Sequence, residues 1–203
     1  MGKKSRIERE EKRDSFATQR IKEKRKHTLI AIAVISGIVA IVGVSVYNFA
    51  THSATVPGAP PGAGILGDEH VHSSMLVKIF GDSFDFSLPT YQIKSSWIHF
   101  EAQDGTTVHR HSTGVTLGYL FETMKIRLND ECFIFPDGRE FCTNEDYSLK
   151  FYVDHNPVPS ITDLVFQDGD RILISYGNEN QTQIDTQLAE LDAQPILANS
   201  MPN

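Results

Sequence analysis

An uninterrupted apolar segment near the N-terminus constrains this chain more than any other feature. The stretch "HTLIAIAVISGIVAIVGVSVYNFA" contains 23 consecutive residues without a charge, from Thr28 to Ala50. At the rise of an α-helix, this segment spans roughly 34 Å, which is enough to cross a hydrocarbon core of ~30 Å. A core helix of a globular domain would show a polar face, which this segment lacks. We therefore predict a single transmembrane helix over residues 28–50, in contact with membrane lipid.

The charges on the two sides of this segment are opposite in sign. The first 26 residues contain eleven Lys and Arg and five acidic residues, a net charge of +6, whereas residues 51–203 contain eight basic and 21 acidic residues, a net charge of −13. The positive-inside rule predicts a cytoplasmic basic arm over residues 1–27 and a C-terminal domain outside the cell membrane. A domain this acidic is not expected to bind nucleic acid through its phosphates.

A cleavable signal peptide is the alternative to an anchor. Its basic region and its apolar run would both be longer than is usual, and no clean small-x-small cleavage site follows. We therefore expect the helix to remain as an anchor.

The chain after the apolar segment divides into three parts. Residues 51–69, "THSATVPGAPPGAGILGDE", are rich in Gly and Pro and predict an extended, unpacked linker. Residues 70–177 are of a length that suits one folded domain. Residues 178–203 form a polar tail that has room for a short helix. The tail carries one apolar stripe at helical spacing, formed by Ile184, Leu188 and Leu191.

Strand signals dominate the predicted domain. The stretches "MLVKIFGDSFDFS", "WIHFEAQDGTTVHRH" and "CFIFPDGREFC" each have a turn-forming Gly-Asp or Asp-Gly pair between two strand-like runs, which predicts three hairpins. "TLGYLFETMKI" has apolar residues at helical spacing and an N-cap candidate in Thr116, which predicts one helix. "YSLKFYV" and "DRILISYG" predict two further strands. We therefore predict an α+β fold, with an antiparallel or mixed sheet packed on one helix.

The apolar residues of "WIHFEAQDGTTVHRH" indicate the register of this hairpin. A three-residue loop that ends in a left-handed Gly105 pairs His99 with His109. A two-residue loop would instead bury His109 and His111 in the core, which is unfavourable for imidazoles. The predicted core face carries Ile98, Phe100 and Val108, and the predicted opposite face carries Trp97, His99, Glu101, Thr107, His109 and His111.

The imidazoles on that opposite face suit a transition metal. The Cβ atoms of cross-strand neighbours lie ~4.5–5.5 Å apart, so two imidazoles can share one ion at ~2.0–2.1 Å per bond. "EHVH" adds two more imidazoles, which share one side if this segment is extended. We predict a copper site, with zinc as the alternative, because imidazole suits both ions and the affinity order favours copper. The predicted ligands are His70, His72, His99, His109 and His111, with Glu101 orienting an imidazole or ligating weakly.

A solvent-facing polar surface is the alternative interpretation of these histidines. Two imidazoles separated by one residue are common on the wet face of a strand. Arg110 lies between His109 and His111, and it would repel a cation if its side chain pointed inward.

Two cysteines bracket "FIFPDGREF". A loop over residues 136–138 makes Cys132 and Cys142 direct cross-strand neighbours, with Cα atoms ~4.5 Å apart, which a disulfide accepts. An oxidising exterior favours a structural disulfide. The alternative is a thiol–disulfide oxidoreductase or isomerase that uses the same two cysteines, although the sequence has no Cys-x-x-Cys motif. We expect a binding module rather than an enzyme, because no other catalytic arrangement emerges.

Several stretches resemble a known group of proteins. "GDEHVHSSMLVKIFGDSFDFSLPTYQIKSSWIHFEAQDGTTVHRHSTGVTLGYLFET", "DGREFC" and "DRILISYG" are similar to membrane-anchored extracytoplasmic proteins of ammonia-oxidising archaea, which are sometimes labelled protein-disulfide isomerase-like. The resemblance covers the anchor and the whole domain. Because that lineage relies on copper enzymes outside its membrane, the resemblance favours copper.

A second resemblance concerns the fold. "GVTLGYLF", "FYVDHNPV" and "FQDGDRILISY" are similar to parts of β-grasp, ubiquitin-like domains, which implies a β-grasp-like domain. A metal-holding domain of this kind would serve as an accessory to larger membrane enzymes. A pure protein-interaction module is the remaining hypothesis, and it would dock a neighbouring membrane protein through the aromatic-rich strands that contain Phe80, Phe84, Phe86, Tyr91 and Trp97.

Overall fold

A computed structural model describes residues 2–52 and 58–197 of the chain. Residues 53–57 of the predicted linker and residues 198–203 of the predicted tail lie outside the described residues. The chain divides into two compact units, of which the first ends at Ser53 and the second begins at Ala54.

The first unit is one long helix, α1 (Gly2–His52). Its portion Arg20–Asn48 is long and apolar enough to cross a membrane, and an 18-residue stretch within it has a mean hydropathy of 2.8. The side chains in this portion are exposed. A core helix would be covered by the rest of the protein, so this apolar helix is consistent with a membrane anchor or with a signal sequence.

The second unit contains two helices and ten strands within the described residues 58–197. The helices are α2 (Leu117–Thr123) and α3 (Gln181–Ala193). The strands, in chain order, are β1 (Val71–Ile79), β2 (Asp82–Ser83), β3 (Ile98–His99), β4 (Thr107–Arg110), β5 (Arg127–Leu128), β6 (Cys132–Ile134), β7 (Glu140–Cys142), β8 (Ser148–Val153), β9 (Asn156–Val158) and β10 (Arg171–Gly177).

Seven of these strands form a mixed sheet. Its order is β3-β4-β1-β10-β8-β9, and β2 also pairs with β1. The central pair, β1 and β10, is parallel, and the other pairs are antiparallel. The remaining three strands form a small antiparallel sheet in the order β5-β6-β7. The structure thus confirms the predicted α+β class with a mixed sheet.

The main core includes one side of the large sheet and α2. The predicted N-cap of α2 is confirmed, because the Thr116 hydroxyl accepts a hydrogen bond from the Tyr119 N–H at 3.3 Å. The helix buries Leu117, Leu120 and Phe121 in the same cluster of apolar side chains as residues of β1, β4, β8 and β10.

A second, smaller core lies beneath α3. The apolar stripe of the C-terminal segment lies on this helix, and its three members pack against Leu76 of β1 and Leu173 of β10. Asn180 and Gln183 form a capping box at the start of the helix, which satisfies backbone N–H groups there. The large sheet therefore packs against apolar side chains on both of its faces.

The chain beyond α3 continues along the sheet. Side chains alternate along a strand, so Ser74 and His72 share the face of β1 that carries Leu76. The Ser74 hydroxyl donates to Gln194 Oε1 at 3.0 Å, and the Leu197 N–H donates to Thr107 Oγ1 at 3.1 Å. The residues after α3 therefore cover this face next to the position of His72.

The described part of the Gly- and Pro-rich segment lies against the rest of the second unit. The Gly64 N–H donates to the Thr113 carbonyl at 2.9 Å, and the Asp68 carboxylate accepts hydrogen bonds from the Thr113 N–H at 2.9 Å and from its hydroxyl at 2.8 Å. Ala59 and Ala63 pack against the main core. These contacts fix the path of the chain immediately before β1.

The cysteine hairpin follows the predicted register. β6 and β7 pair Cys132 with Cys142 and Phe133 with Phe141, and the two cysteines form a disulfide. The turn between the strands places Gly138 at a φ of 89°, a left-handed conformation that favours glycine.

Candidate metal centre

The structure confirms that His99 and His109 are cross-strand neighbours. β3 and β4 pair these two residues directly, and their rings are nearly parallel with centroids 6.0 Å apart. The predicted core face is also confirmed, since Ile98, Phe100 and Val108 are fully buried in the main core.

The predicted turn conformation, in contrast, is wrong. The positive φ angles belong to Ala102 (55°) and Gln103 (60°), and Gly105 is not left-handed. A close approach of the backbone explains the glycine instead, because a Cβ at Gly105 would clash with the backbone of Phe86 and Ser87. The register of the two strands is unaffected by this difference.

The predicted histidine face differs from the structure in two ways. Trp97 belongs to the main core with 6% of its surface exposed, because it lies in a bend before β3 where the alternation of a strand does not apply. The face is also not open to solvent. The exposed fractions of His72, His99 and His109 are 7%, 6% and 1%, so the solvent-facing interpretation is wrong for these three residues.

Arg110 does not face the imidazoles. Its guanidinium is 1% exposed and forms an ion pair with Glu69. It donates a hydrogen bond to the Phe166 carbonyl at 2.8 Å and lies 5.4 Å from the centre of the Phe166 ring, which belongs to the main core. The positive charge therefore lies on the opposite face of the sheet from His109, and it is paired there.

Strand β1 and the residue before it add His72 and His70 to the group of imidazoles around His109. It pairs His72 directly with His109, and the two rings are nearly perpendicular with centroids 4.8 Å apart. His70 is exposed, and its ring centroid lies 4.7 Å from that of His72 and 4.5 Å from that of His111. All the histidines singled out from the sequence as ligands are thus in one continuous cluster.

Three of the imidazoles converge on one point. His70, His72 and His109 each offer one ring nitrogen, and these nitrogens lie within 4.8 Å of one another. Nitrogens bonded to one tetrahedral ion at 2.0–2.1 Å are ~3.4 Å apart, so small rotations of the side chains would complete such a set. Because His72 and His109 lie opposite each other on two paired strands, the sheet holds two of the three positions.

A carboxylate orients His72. The Nδ1 atom of its ring lies 3.3 Å from Asp168 Oδ1, and its Nε2 atom is buried without a hydrogen-bond partner among residues 58–197. If Nδ1 donates its proton to the carboxylate, Nε2 presents a lone pair, as in carboxylate–histidine–metal arrangements. Asp168 was missed in the sequence. Its signal was the "FQDGD" turn before β10, where the Gly169 N–H donates to the His72 carbonyl at 2.8 Å.

Glu101 lies between two other imidazoles. His109 Nδ1 is buried without a hydrogen-bond partner in the described part of the chain, and it lies 3.7 Å from Glu101 Oε1, which is too long for a hydrogen bond. His99 Nε2 lies 3.3 Å from Glu101 Oε2, and His99 Nδ1 lies 2.7 Å from the Ser95 carbonyl oxygen. No pattern in the sequence indicates the Ser95 contact.

Two of the imidazoles have strongly lowered pKa values. Burial lowers the pKa of His109 to about 4, with the neighbouring imidazoles acting in the same direction and Glu101 opposing them. Burial likewise lowers the pKa of His111 to about 4, and repulsion from His99 and His70 adds to this effect. Both rings are therefore neutral near pH 7, the form in which imidazole binds metals.

Comparison of the chain with protein-family models, with curated proteins and with solved structures gives no match in any of the three.

Proposed function

We propose that this protein is a membrane-anchored binding module that holds a divalent transition-metal ion through His70, His72 and His109. The convergence of their three ring nitrogens within 4.8 Å is the observation that carries the proposal. The unpartnered nitrogens of His72 and His109 within residues 58–197 add support, because a buried polar group without a partner costs about 1–3 kcal/mol. A bound ion would supply the missing interaction.

Copper is the proposed ion, and zinc is the alternative. Imidazole ligands suit both ions, whereas calcium and magnesium prefer oxygen ligands. The affinity order of divalent ions favours Cu(II) over Zn(II). The resemblance to extracytoplasmic proteins of ammonia-oxidising archaea, a lineage with copper enzymes outside its membrane, supports the same choice.

The proposed location is the outer side of the cell membrane. The basic arm before the apolar part of α1 supports a cytoplasmic N-terminus, and the Cys132–Cys142 disulfide is typical of an oxidising compartment. The parallel β1–β10 pair between antiparallel strands supports a β-grasp-like domain. In this position the module would serve as an accessory to larger membrane enzymes.

Metal titration of the full-length protein tests the proposal. The protein would be purified in detergent without a polyhistidine tag, stripped of metal, and titrated calorimetrically with Cu(II) and Zn(II). We expect the His72→Ala, His109→Ala double variant to lose at least about a hundredfold in affinity, because loss of partners behind the ligands alone costs about 10- to 100-fold.

A matched variant controls for general effects of removing an imidazole. His155 is an exposed imidazole that pairs with Asp192 at 2.9 Å, away from the cluster, so His155→Ala should bind metal as the wild type does. Absence of binding by the wild type would refute the proposal. Unchanged affinity of the double variant would refute it as well, provided that circular dichroism shows the native fold.

A further inference from the structure

The hydrogen bonds of His99 indicate which of its ring nitrogens carries a proton. Its Nδ1 atom lies 2.7 Å from the Ser95 carbonyl oxygen, which can only accept a hydrogen bond, so Nδ1 donates. In a neutral ring the other nitrogen, Nε2, then has a lone pair and no proton. This nitrogen lies 3.3 Å from Glu101 Oε2, which is also an acceptor. Two acceptors that face each other need a positive charge between them, which a second ring proton or a metal ion would supply.

The pair His72–Asp168 has the same separation, but the hydrogen bonding of its ring is different. His72 Nδ1 lies 3.3 Å from Asp168 Oδ1, and the other ring nitrogen has no hydrogen-bond partner among the described residues. Nδ1 is therefore free to carry the proton and to donate it to Asp168. His99 has no such freedom, since its donating nitrogen already contacts Ser95. The distance from the ring nitrogen to the carboxylate is therefore the same in both pairs. The pairs differ in the contact that the other nitrogen of each ring makes.

The separation of His99 Nε2 and Glu101 Oε2 fits a shared ion. Two donor atoms that bind one tetrahedral ion at 2.0–2.1 Å lie ~3.4 Å apart, which is the edge of the coordination polyhedron. The observed 3.3 Å agrees with this edge. The two atoms can therefore bind the same ion with little movement of either side chain.

The ring of His111 lies beside that of His99. Its ring lies 4.9 Å from that of His99, with an angle of 25° between the ring planes, and it is half-buried. It does not belong to the set formed by His70, His72 and His109, although its centroid lies 4.5 Å from that of His70. Two sets of ligands are thus adjacent within one cluster.

We propose that His99, Glu101 and His111 hold a second divalent ion of the zinc or copper class beside the first. Two imidazoles and one carboxylate form a donor set that suits these ions. This inference rests on the proposed function, because a second position has meaning only if the first one binds metal.

Counting bound ions tests the second position. Full-length protein in detergent, without a polyhistidine tag, would be loaded with excess Zn(II) or Cu(II), desalted, and assayed for metal per chain. We expect two ions in the wild type and in His155→Ala, and one ion in His99→Ala. Glu101→Gln, which preserves the shape of the side chain, should also retain one ion, and it provides the same test if His99→Ala does not fold.

The results separate this inference from the proposed function. A wild type that binds no ion refutes both proposals. A wild type that binds one ion refutes only the second position. Two ions retained in both His99→Ala and Glu101→Gln would also overturn the assignment of these ligands.

Electron paramagnetic resonance of the copper-loaded protein tests whether the two ions are neighbours. We expect one equivalent of Cu(II) to give a resolved signal in the wild type. A second equivalent should broaden this signal through coupling between the ions. His99→Ala should show no broadening at any copper concentration. A signal at two equivalents that equals the sum of two isolated ions would overturn the inference.

Discussion

Two hairpins of this domain place a pair of like side chains directly across from each other, and the two pairs have different outcomes. In the β6–β7 hairpin, Cys132 and Cys142 form a disulfide with each other. In the β3–β4 hairpin, His99 and His109 stack 6.0 Å apart without bonding to each other. The first pair is complete within its hairpin, whereas His99 contacts Ser95 and Glu101, and His109 lies opposite His72 of another strand.

This difference separates a structural pair from a candidate binding site. Once the disulfide has formed, neither sulfur has a bonding requirement left. The imidazoles retain such a requirement, because His109 Nδ1 has no hydrogen-bond partner among the described residues and His99 Nε2 faces a carboxylate. A ligand that binds these nitrogens would stabilise the β3–β4 hairpin. Loss of the cysteine pair should therefore lower the stability of the protein, whereas loss of the histidine pair should lower its affinity for metal.

The largest expected effect concerns the disulfide. We expect the Cys132→Ser, Cys142→Ser double variant to lose roughly 2–3 kcal/mol in the free energy of unfolding, since the bridge closes a short loop in the unfolded chain. Its affinity for Cu(II) and Zn(II) should remain that of the wild type, because neither cysteine contacts the histidine cluster. Denaturant unfolding and metal titration measure these two quantities.

The wild type in reducing agent provides the control for this variant. Its stability should fall by the same amount as that of the double variant. A large loss of metal affinity in the double variant would break the distinction between the two hairpins, because it would show that the disulfide supports the site.

The two hairpins also differ in how much of them could be predicted from the sequence. The cysteine pair depended on one turn, and its register followed from the residues on either side of that turn. The pairing of His99 with His109 was predicted in the same way, even though the left-handed residues proved to be Ala102 and Gln103. Local alternation of apolar and polar residues therefore determined the register more strongly than the turn did.

The rest of the cluster depends on contacts between distant segments. His72 meets His109 because β1 pairs with β4, and Asp168 reaches His72 from the turn before β10, 96 residues later in the sequence. No periodic pattern of apolar residues predicts which distant segments come into contact. The burial of the cluster was also unpredictable, because the chain after α3 covers the sheet at Thr107. Composition alone had identified that segment as polar.

A smaller effect is expected from the carboxylate behind His72. Asp168→Asn keeps an oxygen that can accept from the His72 N–H but removes the negative charge, so we expect about a tenfold loss in metal affinity, at the low end of such effects. The side chain of Asp168 is 68% exposed, which screens its charge and limits the loss. Calorimetric titration of the full-length variant measures it.

Asp192→Asn is the matched control, since Asp192 is an exposed carboxylate that pairs with an imidazole outside the cluster, that of His155. Its affinity for metal should not change. Equal affinities of Asp168→Asn and the wild type would show that Asp168 only shapes the turn, and His72 would then have no oriented partner behind it.

The last expected effect concerns the pH dependence of stability without metal, and its sign follows from the lowered pKa values of His109 and His111. Well above pH 6.5 both rings are neutral in the folded and the unfolded chain, so they contribute nothing to the pH dependence there. Between pH 6.5 and about 4 the unfolded chain binds protons that the folded chain does not, and the free energy of unfolding falls as the pH falls. The slope approaches ~1.4 kcal/mol per pH unit for each fully shifted group.

Thermal unfolding of the metal-free wild type should therefore show a loss of stability from pH 6.5 to 5.5 that is smaller in a His109→Gln, His111→Gln variant. The cysteine hairpin has no titrating pair, so the disulfide variant should retain the wild-type slope. Equal slopes in the wild type and the Gln variant would mean that these imidazoles take up protons in the folded protein, and the cluster would then be charged rather than ready to bind a cation.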